Sequence, residues 1–199
     1  MRKKFGILLM GLGLCLILTA LGFIARNQME DTEAAQASAE ANLDIRAAME
    51  VREQSREPEA TTLPTEIHHK ELPVEEVKGY GYIGTLGLPV LELDLPIMDH
   101  WSYPRLRRAP CRESGTTAYD MVIAGHNYSR HFGRLKTLVP GDPVTFTDMD
   151  GEVTAYEVGI VDTIQPGDRD KVMDEQWDLV LYTCTYGGRT RIMVGCIAL

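Results

Sequence analysis

The sequence predicts an all-β globular domain held off a membrane by an N-terminal apolar helix and a polar stalk. Three observations carry this. Residues 79–199 consist of short apolar runs at close spacing, punctuated by glycine and proline, the pattern of many short strands in a small barrel or sandwich. Phe5 to Ile24 runs twenty residues without a charge, long enough to cross a bilayer as a helix. Between the two, residues 25–78 hold thirteen Asp/Glu against six Lys/Arg and no aromatic residue.

Taken in order, the first element is residues 1–24. Met1-Arg2-Lys3-Lys4 is basic and precedes the span, whereas Glu30, Asp31 and Glu33 come after it. The positive-inside rule leaves the N-terminus in the cytoplasm and the remainder outside. The apolar stretch exceeds the core of a cleavable signal and no small-x-small site comes after it, so an uncleaved anchor is expected. Leu14 precedes Cys15 where a lipid-modified cysteine has a small residue before it, so Cys15 is read as packing in the membrane.

Residues 25–78 account for −7 of the chain's net charge of −9. Ala, Glu and Gln over 30–57 permit helix, and Pro58, Pro64 and Pro73 interrupt the remainder of the segment. Such a segment lacks the apolar area for a core of its own and is expected to be an extracellular stalk. His68-His69 has no partner at ligand spacing and is read as solvated.

Residues 79–199 are enough for one modest core. The expected strands are 81–86 and 91–97, interrupted by Gly87 and Pro89; Met121–Ala124, ending at His126; Val144–Thr147 and Val153–Val161 around the Asp148-Met149-Asp150-Gly151 turn; and Leu179–Cys184 with Arg191–Ile197 around Gly187-Gly188. Phe132, Leu135 and Leu138 have the spacing of a short amphipathic turn. The acidic balance argues against a nucleic-acid partner. Four cysteines without a C-x-x-C pair carry no zinc signature. No cofactor is expected.

The chemistry gathers at strand ends. Cys184 closes one apolar run, Arg191 opens the next, and His126 closes a run fifty-eight residues upstream of the cysteine. A thiol of ordinary pKa is mostly protonated at neutral pH, and a nearby imidazolium or guanidinium favours the thiolate. Cys184, His126 and Arg191 are therefore the parts of a thiol acyl-transfer site. Spacing alone also allows a packing cysteine, a strand-end histidine and a surface arginine.

The run Leu181-Tyr182-Thr183-Cys184-Thr185-Tyr186, followed by Arg191 and an apolar strand, resembles the signature of sortases, cysteine transpeptidases of Gram-positive surfaces. Val122-Ile123-Ala124-Gly125-His126-Asn127 is similar to the family's catalytic-histidine strand end. Tyr82-Ile83-Gly84-Thr85-Leu86 and Leu95-Pro96-Ile97 resemble its first strands. The resemblance covers residues 79–199 and implies a small closed barrel of about eight strands with short helices. It implies Cys184 as nucleophile, His126 as general acid and Arg191 as the oxyanion-binding residue, with Arg189 the nearest competitor. The implied reaction cleaves the Thr–Gly bond of an LPxTG-like sorting signal through a thioacyl enzyme. The acyl group then passes to an amine of a peptidoglycan precursor or of another protein, such as a pilin.

Two subclass marks point away from specialised members. No apolar segment comes after Leu199, and the stretch from Val161 to Trp177 is short. A housekeeping-type or class D-like enzyme is expected. Asp99-His100-Trp101-Ser102-Tyr103-Pro104 weakly resembles the lid of pilus sortases, with His100 where a proline would stand, and a plain surface loop is the favoured reading. Glu113, Asp168, Asp170, Asp174 and Glu175 form a conceivable calcium cluster, read as solvated acids. Two rivals remain: an L,D-transpeptidase, whose Ser-His-Gly-Cys run is missing here, and a non-catalytic anchored binding domain. Last, if His126 and Arg191 share one rim, Cys111 and Cys196 fall toward the opposite end of the strands. A disulfide between them is then one reading, and two reduced buried thiols the other.

Overall fold

A computed structural model describes residues 2–55, 71–173 and 176–199. Pro58, Pro64, His68-His69, Asp174 and Glu175 lie outside the described residues. The first element, α1, runs from Arg2 to Ser55 as one helix of 54 residues. Its apolar part is long and apolar enough to cross a membrane, with mean hydropathy 2.0 and exposed Leu12, Leu16 and Phe23.

Of the segment expected to be a stalk, residues 25–55 continue this same helix and pack on the domain, and Glu75–Val77 form a strand of its sheet. Ala34, Ser38, Ala41 and Ile45 are buried. Their spacing of four, three and four puts them on one helix face. Ala41 and Ile45 join a cluster with Tyr82, Met98, Leu106, Cys111, Ala124 and Met149. Small residues at 34, 38 and 41 let the helix approach the sheet closely, and Ile45 supplies the large apolar contact, about 2 kcal/mol of burial. Polar contacts flank this stripe: Asn42 donates to the Asp94 carbonyl, Asp44 pairs with Lys78 at 2.8 Å, and Arg52 meets Glu75 at 3.6 Å and Asp150 at 3.4 Å.

Nine strands form one sheet: β1 (Glu75–Val77), β2 (Tyr80–Leu88), β3 (Leu93–Met98), β4 (Cys111–Thr116), β5 (Tyr119–Gly125), β6 (Pro143–Asp148), β7 (Val153–Ile164), β8 (Leu179–Cys184) and β9 (Arg191–Ala198). Their order is β1-β2-β3-β4-β5-β8-β9-β7-β6, and β6 also pairs with β2. The sheet thus curls until its far strand meets β2, while β3 and β4 join through the single pair Met98↔Cys111. Among the described residues, two one-turn helices, α2 (Tyr103–Leu106) and α3 (Arg169–Val172), and two 3₁₀ turns, over Pro89–Leu91 and Phe132–Thr137, complete the domain. The strand count is one above the expected eight, and helical pieces in the domain are few.

The main core fills the inside of the curl with Ile83, Leu86, Ile97, Ile123, Phe146 and Leu181, all buried. Val122, Val180, Ile164 and Met193 point outward and are covered by Trp177 and Val172. Alternation along β5 and β8 therefore has apolar residues on both faces, which is why these strands read as continuous apolar runs. The β6–β7 turn forms where expected. Asp148 accepts from the backbone of Asp150 and Glu152 at 2.8 and 2.9 Å, and Gly151 takes φ +79.

The disulfide reading is corrected. All four cysteines are free, with Cys111 and Cys196 buried. β4 runs antiparallel to β5, so Cys111 lies opposite Ala124, beside the His126 end and not away from it. Cys196 pairs with Leu179, which pairs with Met121 at the other end of β5. Three strand spacings of ~4.8 Å and three residues along the strand separate the two columns, beyond the reach of a disulfide. Burial pushes each thiol up to about 12, so both stay protonated.

Candidate active site

Register brings the three sequence-selected residues together. β5 and β8 are parallel, with Ala124↔Tyr182 and Gly125↔Thr183 paired. One residue further along each chain come His126, just past the end of β5, and Cys184, the last residue of β8. Thr183 faces the interior and is buried, so alternation turns Cys184 outward, where it is exposed. β8 and β9 are antiparallel, and Cys184↔Arg191 is their last pair. Directly opposed residues share a face with Cβ atoms about 5 Å apart. Cys184 therefore sits between His126 on one neighbouring strand and Arg191 on the other.

The turn joining β8 to β9 is stiff. Gly187 and Gly188 take φ +80 and +69, a region that costs glycine little. The Thr185 hydroxyl meets the Thr190 hydroxyl at 2.9 Å, and the Thr185 N–H donates to the Thr190 carbonyl at 3.0 Å. Arg191 Nη1 donates to the carbonyls of Gly188 and Thr190 at 3.0 and 3.1 Å. The N–H groups of Thr185 and Gly188 are engaged inside the turn as well. Arg189 lies exposed in the turn and outside the strand register.

His126 is half-buried and held from two sides. Asn127 Oδ1 lies 3.0 Å from His126 Nδ1. The Tyr128 ring stacks on the imidazole with centroids 4.0 Å apart and planes 7° from parallel. Burial holds the His126 pKa below its ordinary value, opposed by the Asn127 bond and by the charge of Glu30. Tyr128 in turn meets His131 edge-on at 5.6 Å. His131 is fully buried, and its Nε2 lies 2.9 Å from Ser38 Oγ of α1. Since Ser38 donates its proton to the Arg108 carbonyl at 2.7 Å, Nε2 carries the His131 hydrogen. Sequence reasoning missed Asn127, Tyr128 and His131 as site residues. The only signal was their position directly after a strand-end histidine.

Gly125 is fixed by close approach. A Cβ there would lie 2.3 Å from the buried Phe132 ring. Phe132 begins the expected amphipathic turn, which packs Leu135 and Leu138 into the core and closes the floor behind His126.

Two cavities adjoin the ends of β5 and β8. One, about 160 Å³, lies beside Arg191 and is lined by Glu113, Ile164, Arg169, Met173 and Tyr182. Within it Tyr182 donates to Glu113, which also pairs with Arg169 at 3.3 Å. Burial, then the Glu113 carboxylate, raises the Tyr182 pKa and keeps its hydroxyl protonated. The other, about 300 Å³, lies between α1 and the segments that extend from β5 and β8, with Asn27, Asp31, Asn127, Tyr128 and Tyr186 in its wall.

Between β3 and β4, Asp99 pairs with Arg105 at 2.6 Å and His100 at 2.9 Å, and Ser102 caps α2. The lid-like segment is thus tied down, and its last two residues, Tyr103 and Pro104, open α2. Among the described residues, no three His, Cys, Asp or Glu side chains assemble at metal-binding distance.

A family model described as the sortase domain matches residues 86–197. The chain belongs to the sortase family. Solved structures with the same fold include a sortase C1 from Streptococcus suis, 23% identical with TM-score 0.53, covering 59% of this chain and 73% of that one. A sortase D5 transpeptidase from Clostridium perfringens is 18% identical with TM-score 0.54, covering 59% and 79%. A sortase C1 from Streptococcus agalactiae is 24% identical with TM-score 0.56, covering 62% and 70%. Comparison with curated proteins returned no match. Membership supports a cysteine transpeptidase of the sortase type, and α1 is a candidate anchor of the kind sortases carry.

Proposed function

We propose that this sortase cleaves an LPxTG-like sorting signal of surface proteins with Cys184 and transfers the acyl group to an amine of a peptidoglycan precursor or pilin. The observation that supports this reading is the register Gly125↔Thr183 and Cys184↔Arg191, in which Cys184 falls between the positions of His126 and Arg191. α1 anchors the protein with its N-terminus in the cytoplasm, and the domain acts outside the cell.

The proposed reaction runs in two halves. The Cys184 thiolate attacks the Thr carbonyl carbon of the Thr–Gly bond, and the carbonyl electron pair moves to oxygen. Arg191 stabilises that oxyanion with the planar donors of its guanidinium. The pair returns, the C–N bond breaks, and His126 gives its proton to the departing Gly amine. A thioester on Cys184 remains, the mark of ping-pong chemistry. The incoming amine attacks it, neutral His126 takes the extra proton, and Cys184 leaves as thiolate. The cavity beside Arg191 receives the sorting signal. Asn127 and Tyr128 act as positioning residues by fixing the imidazole.

The test is to incubate the protein with a panel of LPxTG-like peptides and an amine and to read transfer products by mass. Cys184→Ala is expected to abolish both cleavage and the trapped thioester, since no other side chain forms the intermediate. Wild-type cleavage in Cys184→Ala overturns the assignment.

A further inference from the structure

We infer that the catalytic rim docks on the headgroup layer of the bilayer that holds α1, so that the site opens at the membrane surface and not away from it. The inference rests on the reading of α1 as an anchor and adds an orientation to it.

The contacts of α1 track its sequence as a ladder. Asn27 donates to the Tyr186 hydroxyl at 3.3 Å. Asp31 accepts from the Ser129 hydroxyl and, at 3.4 Å, from the Arg130 N–H. Ser38 reaches His131 and the Arg108 carbonyl, and Arg46 pairs with Asp94. At the far end Arg52 meets Asp150. At ~1.5 Å per residue, Asn27 stands about 5 Å beyond Ile24, where the uncharged span ends, and Arg52 about 42 Å beyond it. The polar layer on each side of the hydrocarbon is about 5–7 Å thick, and a tilt near 20° changes these heights by under a tenth. Tyr186 and the turn after Cys184 therefore lie in the headgroup layer, and the β6–β7 turn faces away.

Two further observations agree. The helix is not a loose tether: the buried stripe of Ala34, Ser38, Ala41 and Ile45 fixes its rotation against the sheet. The surface presented to the bilayer has interfacial chemistry. Tyr186 is 85% exposed, and Arg107, Arg130 and Arg189 are exposed around the rim. Aromatic side chains and guanidinium groups are those that settle among lipid headgroups, and here they are local features of an acidic chain. The 300 Å³ cavity, walled by Asn27 and Asp31 of α1, lies at the same height. A reactant carried by a membrane-embedded molecule thus enters it without leaving the headgroup layer.

The experiment uses the full chain with Cys15→Ser and Cys184→Ser, in phosphatidylcholine–phosphatidylglycerol vesicles containing a nitroxide-headgroup lipid. A single fluorophore is placed at Arg189→Cys or at Val153→Cys, which is exposed beside the distal turn. Flotation with the vesicles checks the anchor reading separately. Quenching several-fold stronger at position 189 is expected, and the difference should collapse in a background of Ala34→Glu with Ala41→Glu, which undocks α1. Equal or absent quenching at both positions, or stronger quenching at 153, in protein that floats overturns the orientation and leaves the sortase reading standing. Protein that does not float removes the anchor and the inference with it.

Discussion

Asn127→Ala tests whether the His126 proton drives catalysis. Asn127 Oδ1 meets His126 Nδ1 at 3.0 Å, and this bond supports the imidazolium against burial, which holds the His126 pKa below its ordinary value. The protonated acid is therefore present at pH below that lowered value and is lost as pH rises through it. Removing the bond lowers the value further. A hydrogen bond to a charged group is worth about 1.5–3 kcal/mol. Because the imidazole is half-exposed, water replaces part of it, leaving about 1 kcal/mol, or roughly a fivefold fall in kcat/KM.

The assay is the pH dependence of peptide cleavage. In Asn127→Ala the limb set by His126 moves to lower pH, the loss is larger at pH 7.5 than at pH 5.5, and kcat carries it while KM holds. Asn127→Asp moves the same limb to higher pH, because a carboxylate favours the imidazolium more than an amide does. An unmoved limb in Asn127→Ala, or a shift of the same sign in both variants, refutes the role of His126 as the acid held by Asn127.

Three other perturbations probe the surroundings. Arg191→Lys should reduce turnover far more than Arg189→Lys in the transfer assay, because a point charge does not replace a planar fork and only Arg191 pairs with Cys184. Gly125→Ala should cost about 1–3 kcal/mol in denaturant unfolding and depress activity further, since its Cβ meets Phe132 at 2.3 Å directly before His126. Burial pushes His131 from 6.5 to about 4, with Asp31 opposing and His126 adding to the shift. Its neutral form stabilises the fold above pH 6.5, and about 3 kcal/mol is lost as pH falls toward 4. Thermal melts of the detergent-solubilised chain should show this decline, and His131→Gln should flatten it.

The strands that build the site were legible because apolar runs ended on chemistry-bearing residues. β5, β8 and β9 lie within a residue or two of expectation, and the Gly187-Gly188 turn delivers Arg191 opposite Cys184 as its spacing implied. β4 was missed because Cys111-Arg112-Glu113-Ser114-Gly115-Thr116 shows no apolar alternation. That omission misplaced Cys111, since an antiparallel partner for β5 returns the chain toward the catalytic end. It also hid Glu113, whose place beside Tyr182 and Arg169 depends on β4. Asn127, Tyr128 and His131 escaped for a different reason: their roles are set by ring and hydrogen-bond geometry within one loop, which composition does not encode.

The acidic segment shows how composition and spacing diverge. Thirteen acids and no aromatic residue argue against a separate core, and among the described residues the segment builds none. It completes a core that already exists, and for that only one narrow face is needed. Ala34, Ser38, Ala41 and Ile45 are ordinary by hydrophobicity, but their period matches a helix and their small size brings the backbone onto β3 and β2. Ser38 adds specificity, because its hydroxyl satisfies both Arg108 and the buried His131, whose Nδ1 is left without a partner. Protonating that nitrogen would bury a charge beside α1. Through Tyr128, stacked on His126 and edge-on to His131, the same contact borders the His126 imidazole. The apolar end of α1, its docked face and His126 therefore form one continuous chain of contacts, and a change at Ser38 should be felt at His126.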